Sequence, residues 1–253
     1  MPRSVVLAGA PRCPACALPP RHCTCGLLGP VRTAVGVHLL IHRLERHKPS
    51  STGALIERVA PSVVTHTFVR VSRHLPPVGL PPRAVPDDHE LLVLHPGGTP
   101  LGPAASGRRP VALLLLDGTW RQAGEMLRSV EGRGRCVRLP DGAPRESRFW
   151  LRQQRSSGCL STAETLALVL DHLGDPAAAG LLRLHFELHV LATLLARGRR
   201  DLAHRFLVDS PLATHPGILD RLGIPHAAAA SPEPPAETPG APPTAPAVVR
   251  GGE

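Results

Sequence analysis

The 253-residue sequence predicts an α/β protein with a mostly parallel sheet flanked by helices. Short apolar runs, the clearest being Val111-Ala-Leu-Leu-Leu-Leu116, are too continuous for strands with one wet face and read as strands buried on both. Such runs alternate with helix patterns opened by capping residues, the order expected of parallel strands joined by crossover helices.

Residues 1–11 read as a disordered leader, and 12–30 as a compact loop carrying four cysteines. Val35 to Ile41 is a strand pattern, and Ser50, Ser51 and Thr52 compete as N-caps for a short helix near 53–60. Residues 63–71 are β-branched and aromatic and predict another strand. After a Pro-rich loop, Glu90 to Leu94 predicts a strand feeding His95-Pro-Gly-Gly98, a turn whose bare backbone lets a ligand approach. The run at 111–116 ends at Asp117, and Thr119 with Gln122 forms a capping box for a helix near 119–130. Asp117 is thereby delivered to the carboxyl end of a central strand, where open α/β sheets place their ligands. It reads equally as a cap for that helix.

Arg135 to Leu139 predicts a short strand. Arg145, Arg148, Arg152 and Arg155 then recur at helical spacing, so that a helix there would line them along one face. Ser161-Thr-Ala-Glu164 is a second capping box, ahead of a helix over 163–173. A longer helix over about 176–197 leads into the basic Arg197-Gly-Arg-Arg200, and Glu187 and His189 on it read as surface or capping groups. Residues 226–253 are Ala- and Pro-rich and cannot bury a core, which leaves 31–225 as the folded domain.

The net charge is +9, almost all of it arginine, since Lys48 is the single lysine. The tail at 226–253 carries Arg250 against Glu233, Glu237 and Glu253, so the body carries +11. A body this basic suggests a polyanionic partner, foremost nucleic acid. The absence of tyrosine and a total of only six Phe or Trp residues argue against wide base-stacking platforms of the single-strand-binding type. No apolar run approaches the 18 residues of a membrane span, no membrane partner is expected, and a cytoplasmic protein is the default reading.

Cys13-Pro-Ala-Cys16 and Cys23-Thr-Cys25 place four thiols in a 13-residue loop, a pattern suited to tetrahedral zinc and less so to two disulfides. A site with four protein ligands has no open position, so such a zinc is structural or clips RNA. Cys136 and Cys159 read as small buried side chains. Phosphate loops, dinucleotide fingerprints and the nucleophile elbow of serine hydrolases are all absent from the sequence.

Asp117-Gly-Thr-Trp120, Ser161-Thr-Ala-Glu164 and the four-cysteine entry resemble the DTW-domain family of tRNA-uridine aminocarboxypropyltransferases. Leu94-His-Pro-Gly97 is similar to that family's Leu-Tyr-Pro-Gly/Ser loop, and His42…Glu45…Ser51-Thr-Gly53 to its His-Pro-x-Glu…Asn-Thr-Gly block. The resemblance is collinear from Cys13 to about residue 205, with Arg43, Ser51 and His95 as departures. It implies a SPOUT-like fold with a carboxyl-terminal knot and S-adenosylmethionine as donor. It further implies transfer of the 3-amino-3-carboxypropyl group to N3 of a tRNA uridine, releasing 5′-methylthioadenosine. On that footing Asp117 is the catalytic base. His95, Pro96 and Gly97, then Leu116, Gly118, Thr119 and Trp120, then Ser161, Thr162 and Glu164, contact S-adenosylmethionine. Cys13, Cys16, Cys23 and Cys25 hold zinc, and Arg148, Arg152, Arg155, Arg197, Arg199 and Arg200 face RNA. Trp120 reads as stacking on a ligand or as core. Two alternatives are a SPOUT-type RNA methyltransferase and a non-catalytic, zinc-containing RNA-binding module.

Overall fold

The computed structural model describes residues 11–72, 74–102, 109–144, 146–151 and 159–225. The leader up to residue 10, the tail from 226, Arg145, Arg152 and Arg155 lie outside the described residues.

Among the described residues five strands form one sheet: β1 (Gly36–His42), β2 (Val64–Phe68), β3 (Glu90–Pro100), β4 (Val111–Asp117) and β5 (Arg135–Arg138). Their order is β2-β1-β4-β3-β5 and every pairing is parallel. β4 lies centrally, which is why its apolar run is unbroken: Leu113, Leu114 and Leu115 are all buried. Alternation sorts its side chains to two layers. Leu113 and Leu115 join Leu39, Ile41 and Leu92 in the larger core, whereas Leu114 joins Leu40, Val93 and Met126 in the smaller one. The larger core is capped by α1 (Thr52–Val59), α3 (Thr162–His172), α4 (Pro176–Ala196) and α5 (Arg200–Val208), and the smaller by α2 (Trp120–Ser129). A final short helix, α6 (Pro216–Arg221), packs beside them. α5 and α6 had no counterpart in the sequence reading.

Two expectations need correction. His95-Pro-Gly-Gly98 is not a turn after a finished strand. β3 runs through it: Leu94 and Thr99 both pair with Val137, so the residues between them form a bulge. Gly98 has no room for a side chain, since a Cβ there would sit 2.5 Å from the Val137 nitrogen.

The second correction concerns α4, whose Glu187 and His189 are buried rather than surface groups. α4 is the one helix among the described residues long and apolar enough to cross a membrane, but 78% of its most apolar stretch is buried. It packs against α1, α3 and α5, so nearly every side must be apolar. His185 Nε2 donates to the Gly29 carbonyl at 2.8 Å. Among the described residues neither ring nitrogen of His189 has a hydrogen-bond partner, and neither has Thr193 Oγ1 one turn on.

Burial, reinforced by the charges of Arg58 and Arg197, holds His189 down to about 3. An unfolded histidine takes its proton near pH 6.5. Between these values the unfolded chain therefore binds a proton that the native one refuses. The neutral ring's full contribution is present above about pH 6.5 and is lost as the pH falls. His189→Leu is expected to flatten the acid limb of the stability profile by up to about 1.4 kcal/mol per pH unit. Urea unfolding of both proteins at several pH values between about 4 and 7 checks it, and equal slopes would mean that the native ring takes its proton over the same range as the unfolded one.

Candidate functional site

The site lies at the carboxyl ends of β4, β1 and β3. Asp117 is the last residue of β4 and is 7% exposed. By alternation it projects to the same layer as Leu113 and Leu115, where α1 and α3 begin. Thr162 Oγ1 donates to one carboxylate oxygen at 2.6 Å, and Ser51 Oγ to the other at 3.1 Å. Ser51 is also the N-cap of α1, accepting from Ala54 N–H at 3.0 Å, and Thr162 is the first residue of α3. The carboxylate thus lies between two helix starts, whose partial positive charge suits an anion. Gly53 allows the approach, since a Cβ there would lie 2.5 Å from Asp117 Oδ2.

Asp117 does not cap α2. Thr119 does, in a complete capping box with Gln122, and a second complete box joins Ser161 and Glu164 at α3.

Two cavities meet beside Asp117. The first, of about 450 Å³, lies between the β3 bulge, the end of β4, the loop after β5 and the start of α3. His95, Pro96, Leu116, Gly118, Trp120 and Thr162 line it. The second, of about 630 Å³, takes in Glu45, Ser51, Asp117, Thr119 and Ser161. Gly118, Trp120, Cys159, Leu160 and Thr162 border both. Trp120 is 53% exposed, so it is a wall of the cavities and not a core residue. The His95 ring turns back so that Nδ1 accepts from Gly97 N–H at 3.1 Å, and burial holds its pKa below the ordinary histidine value.

Of the residues expected at the cofactor, Gly97 and Glu164 line neither cavity. The Glu164 carboxylate accepts from Ser161 N–H, Arg148 N–H and Ser147 Oγ, at 2.7–2.8 Å. It anchors a strap at 146–151 that carries Phe149 into the wall of the second cavity. Sequence reasoning missed the Leu139–Pro144 loop, Cys159 and Leu160. The Pro140-Asp-Gly142 turn after a strand was the available signal for that loop. Glu45, buried and paired with Lys48, was reached only through the family block.

The expectation for Arg148 is corrected. The described part of its segment is not helical. Its guanidinium bonds both oxygens of the buried Glu187 and the Phe206 carbonyl, over the Phe206 ring. It therefore ties the strap to α4 instead of facing RNA. Arg197 Nη1 donates to the Leu151 carbonyl, and Arg199 and Arg200 are exposed.

The four cysteine sulfurs of the N-terminal loop lie within 4.8 Å of one another. Cys13 and Cys25 stand 3.8 Å apart, and Cys16 and Cys23 3.7 Å. Four sulfurs at the usual 2.3 Å from a tetrahedral zinc stand about 3.8 Å apart, so the donor set fits that ion. Backbone N–H groups of Cys16 and Ala15 lower Cys13 to about 6, whereas burial and neighbouring thiols push Cys25 up to about 12. Without a cation the cluster resists ionising more than part-way, and a dication removes that conflict. The loop is packed in place: Cys16 and Leu18 belong to the larger core.

This is an α/β protein with two cavities at the carboxyl edge of a parallel sheet, where such folds typically bind ligands. The DTW domain family model matches residues 10–194, and the chain belongs to that family. It is similar to the tRNA-uridine aminocarboxypropyltransferase 2 of Drosophila melanogaster, at 28% identity over 165 residues. The alignment covers 63% of this chain and 65% of the relative. No solved structure matches.

Arg148→Ala is expected to destabilise the fold by about 3–5 kcal/mol, because it strands a buried carboxylate at Glu187. Arg148→Met combined with Glu187→Leu recovers most of that loss. Denaturant unfolding of the single and double variants measures both, and a silent single substitution would show that the pair holds nothing.

Proposed function

We propose that this protein is a tRNA-modifying transferase that moves the 3-amino-3-carboxypropyl group of S-adenosylmethionine to N3 of a tRNA uridine, with 5′-methylthioadenosine leaving. The observation that carries the reading is the pair of cavities joined at Trp120 and Thr162, with Asp117 on the wall of the second. Membership of the DTW family and the name of the Drosophila relative support it.

In this reading the donor occupies the first cavity and the acceptor uridine the second. The sulfonium makes its attached carbons electrophilic. Attack by N3 forms the N–C bond as the C–S bond breaks, and the sulfur leaves as a neutral thioether. Asp117 takes the imide proton, a general-base role. Its hydroxyl tethers from Ser51 and Thr162 hold it in one orientation, so positioning is built in before either substrate arrives. The shared border lets both reactants meet across Trp120, whose exposed ring supplies a stacking face. Orientation of the sulfonium in the first cavity selects which of its carbons reacts. We assign the four cysteines to one structural zinc, the fold to the SPOUT-like class with a knotted carboxyl-terminal part on family grounds, and the protein to the cytoplasm.

Mass spectrometry of tRNA nucleosides after incubation with the protein and S-adenosylmethionine tests the reaction. The expected product is an aminocarboxypropyl-uridine with an equal amount of methylthioadenosine. A methylated uridine would transfer the assignment to the methyltransferases, and the absence of any product with any tRNA would remove the enzyme. Asp117→Asn keeps the shape of the site and is expected to slow turnover by about 10²–10⁴-fold while S-adenosylmethionine still binds. Unchanged turnover would exclude the base. Metal analysis of protein purified without chelator is expected to find about one zinc per chain, and stripping it to lower Tm. A substoichiometric trace with no thermal effect would rule the zinc out.

A further inference from the structure

We infer that a third cavity, on the β1–β2 side of Asp117, is a docking site for the phosphodiester backbone of the acceptor RNA. The inference rests on reading the Asp117 cavity as the acceptor site. The third cavity, of about 290 Å³, lies between the ends of β1 and β2 and the first turn of α2. Among the described residues its charged side chains are Arg43, Arg70, Arg121 and Glu125. That set has three cations against one anion, a net of +2. His42 also lines it, and burial, its largest influence, holds that ring below the ordinary histidine value, so it adds no charge at neutral pH.

The three arginines come from separate elements and are held on rigid backbone. Arg43 follows β1, and its N–H donates to the Phe68 carbonyl at 3.0 Å, extending the β1–β2 ladder by one bond. Arg70 follows a bridge in which Val69 and Val78 exchange both backbone hydrogen bonds, at 2.8 and 2.9 Å. Arg121 sits in the first turn of α2, behind the Thr119 capping box. All three are exposed. Glu125 reaches Arg70 only at 4.0 Å, at the limit of an ion pair, and leaves the cavity basic.

Arg121 also lines the second cavity, so the basic cavity and the one holding Asp117 lie on either side of one side chain. Each nucleotide of RNA carries one phosphate. A base lodged beside Asp117 therefore brings a flanking phosphate to the adjoining wall, where arginine forks pair with phosphate oxygens. Such contacts set register and orientation and leave the reading of the base to the neighbouring cavity. The resemblance had marked Arg43 as a departure from the family's proline. The structure gives that departure a use.

The test compares Arg43→Ala, Arg70→Ala, Arg121→Ala and their triple combination with wild type and with Arg183→Ala, whose side chain lines none of the three cavities. Affinity for unmodified tRNA is measured across a salt series, and S-adenosylmethionine affinity by calorimetry serves as the check on folding. Each single substitution is expected to weaken tRNA binding and reduce the slope of log K against log salt by about 0.7–1, and the triple to weaken it by at least about tenfold. Arg183→Ala leaves the slope in place, and S-adenosylmethionine binds all variants alike. A triple variant with wild-type tRNA affinity and salt slope overturns the inference. If wild-type protein modifies no tRNA yet shows the arginine-dependent slope, the transfer reaction falls and the docking site stands. If the uridine is modified and the triple binds as wild type, the docking site falls alone.

Discussion

The arrangement of the molecule follows from one carboxylate tied to two helix starts. Ser51 and Thr162 reach Asp117 from the starts of α1 and α3, helices that also pack on Leu113 and Leu115 of β4 in the larger core. Gly53 lets α1 come close enough for the hydroxyl to bond, and alternation along β4 decides that the acid faces this layer. A side chain at residue 53 would displace either the helix or the acid. The edge of the sheet, the cap of one helix and the first turn of another are thus a single hydrogen-bonded unit. Thr162 carries that unit onto the border that the two larger cavities share.

Behind that unit stands α4, apolar on nearly every side and yet holding one deep ion pair. Glu187 is tolerated there because Arg148 meets both of its oxygens and rests on the Phe206 ring. The same arginine gives its backbone N–H to Glu164. One residue therefore joins α4 to the start of α3 and sets where Phe149 walls the second cavity. Arg148 and Arg197 are thus consumed in holding the strap, whereas Arg43, Arg70 and Arg121 stay at the surface beyond β1 and β2.

How much of this was legible in the sequence depends on the range of the forces involved. β4 was readable because burial on both faces leaves an unbroken apolar run, and the capping boxes of α2 and α3 because their partners lie three residues apart. The site at the end of β4 was readable from that strand and from the family motifs together. The bulge at His95–Gly98 was not, since it exists only through the register against β5. Glu187 and His189 looked like polar residues on an amphipathic face because nothing local reveals that three further helices enclose α4. The arginine spacing at 145–155 suggested a helix face, yet Arg148 is governed by an acid 39 residues away. Arg43, Arg70 and Arg121 are scattered along the chain and become a set only when β1 and β2 lie side by side.

The all-parallel sheet has a consequence for how the protein comes into being. Parallel neighbours require crossovers, and here the middle strand is the fourth to be made. The ties to Asp117 span 66 and 45 residues. A ribosome must therefore release the chain well past Thr162 before the acid can be fastened on both sides. Until then the cavity walled by Ser51, Asp117 and Thr162 is incomplete.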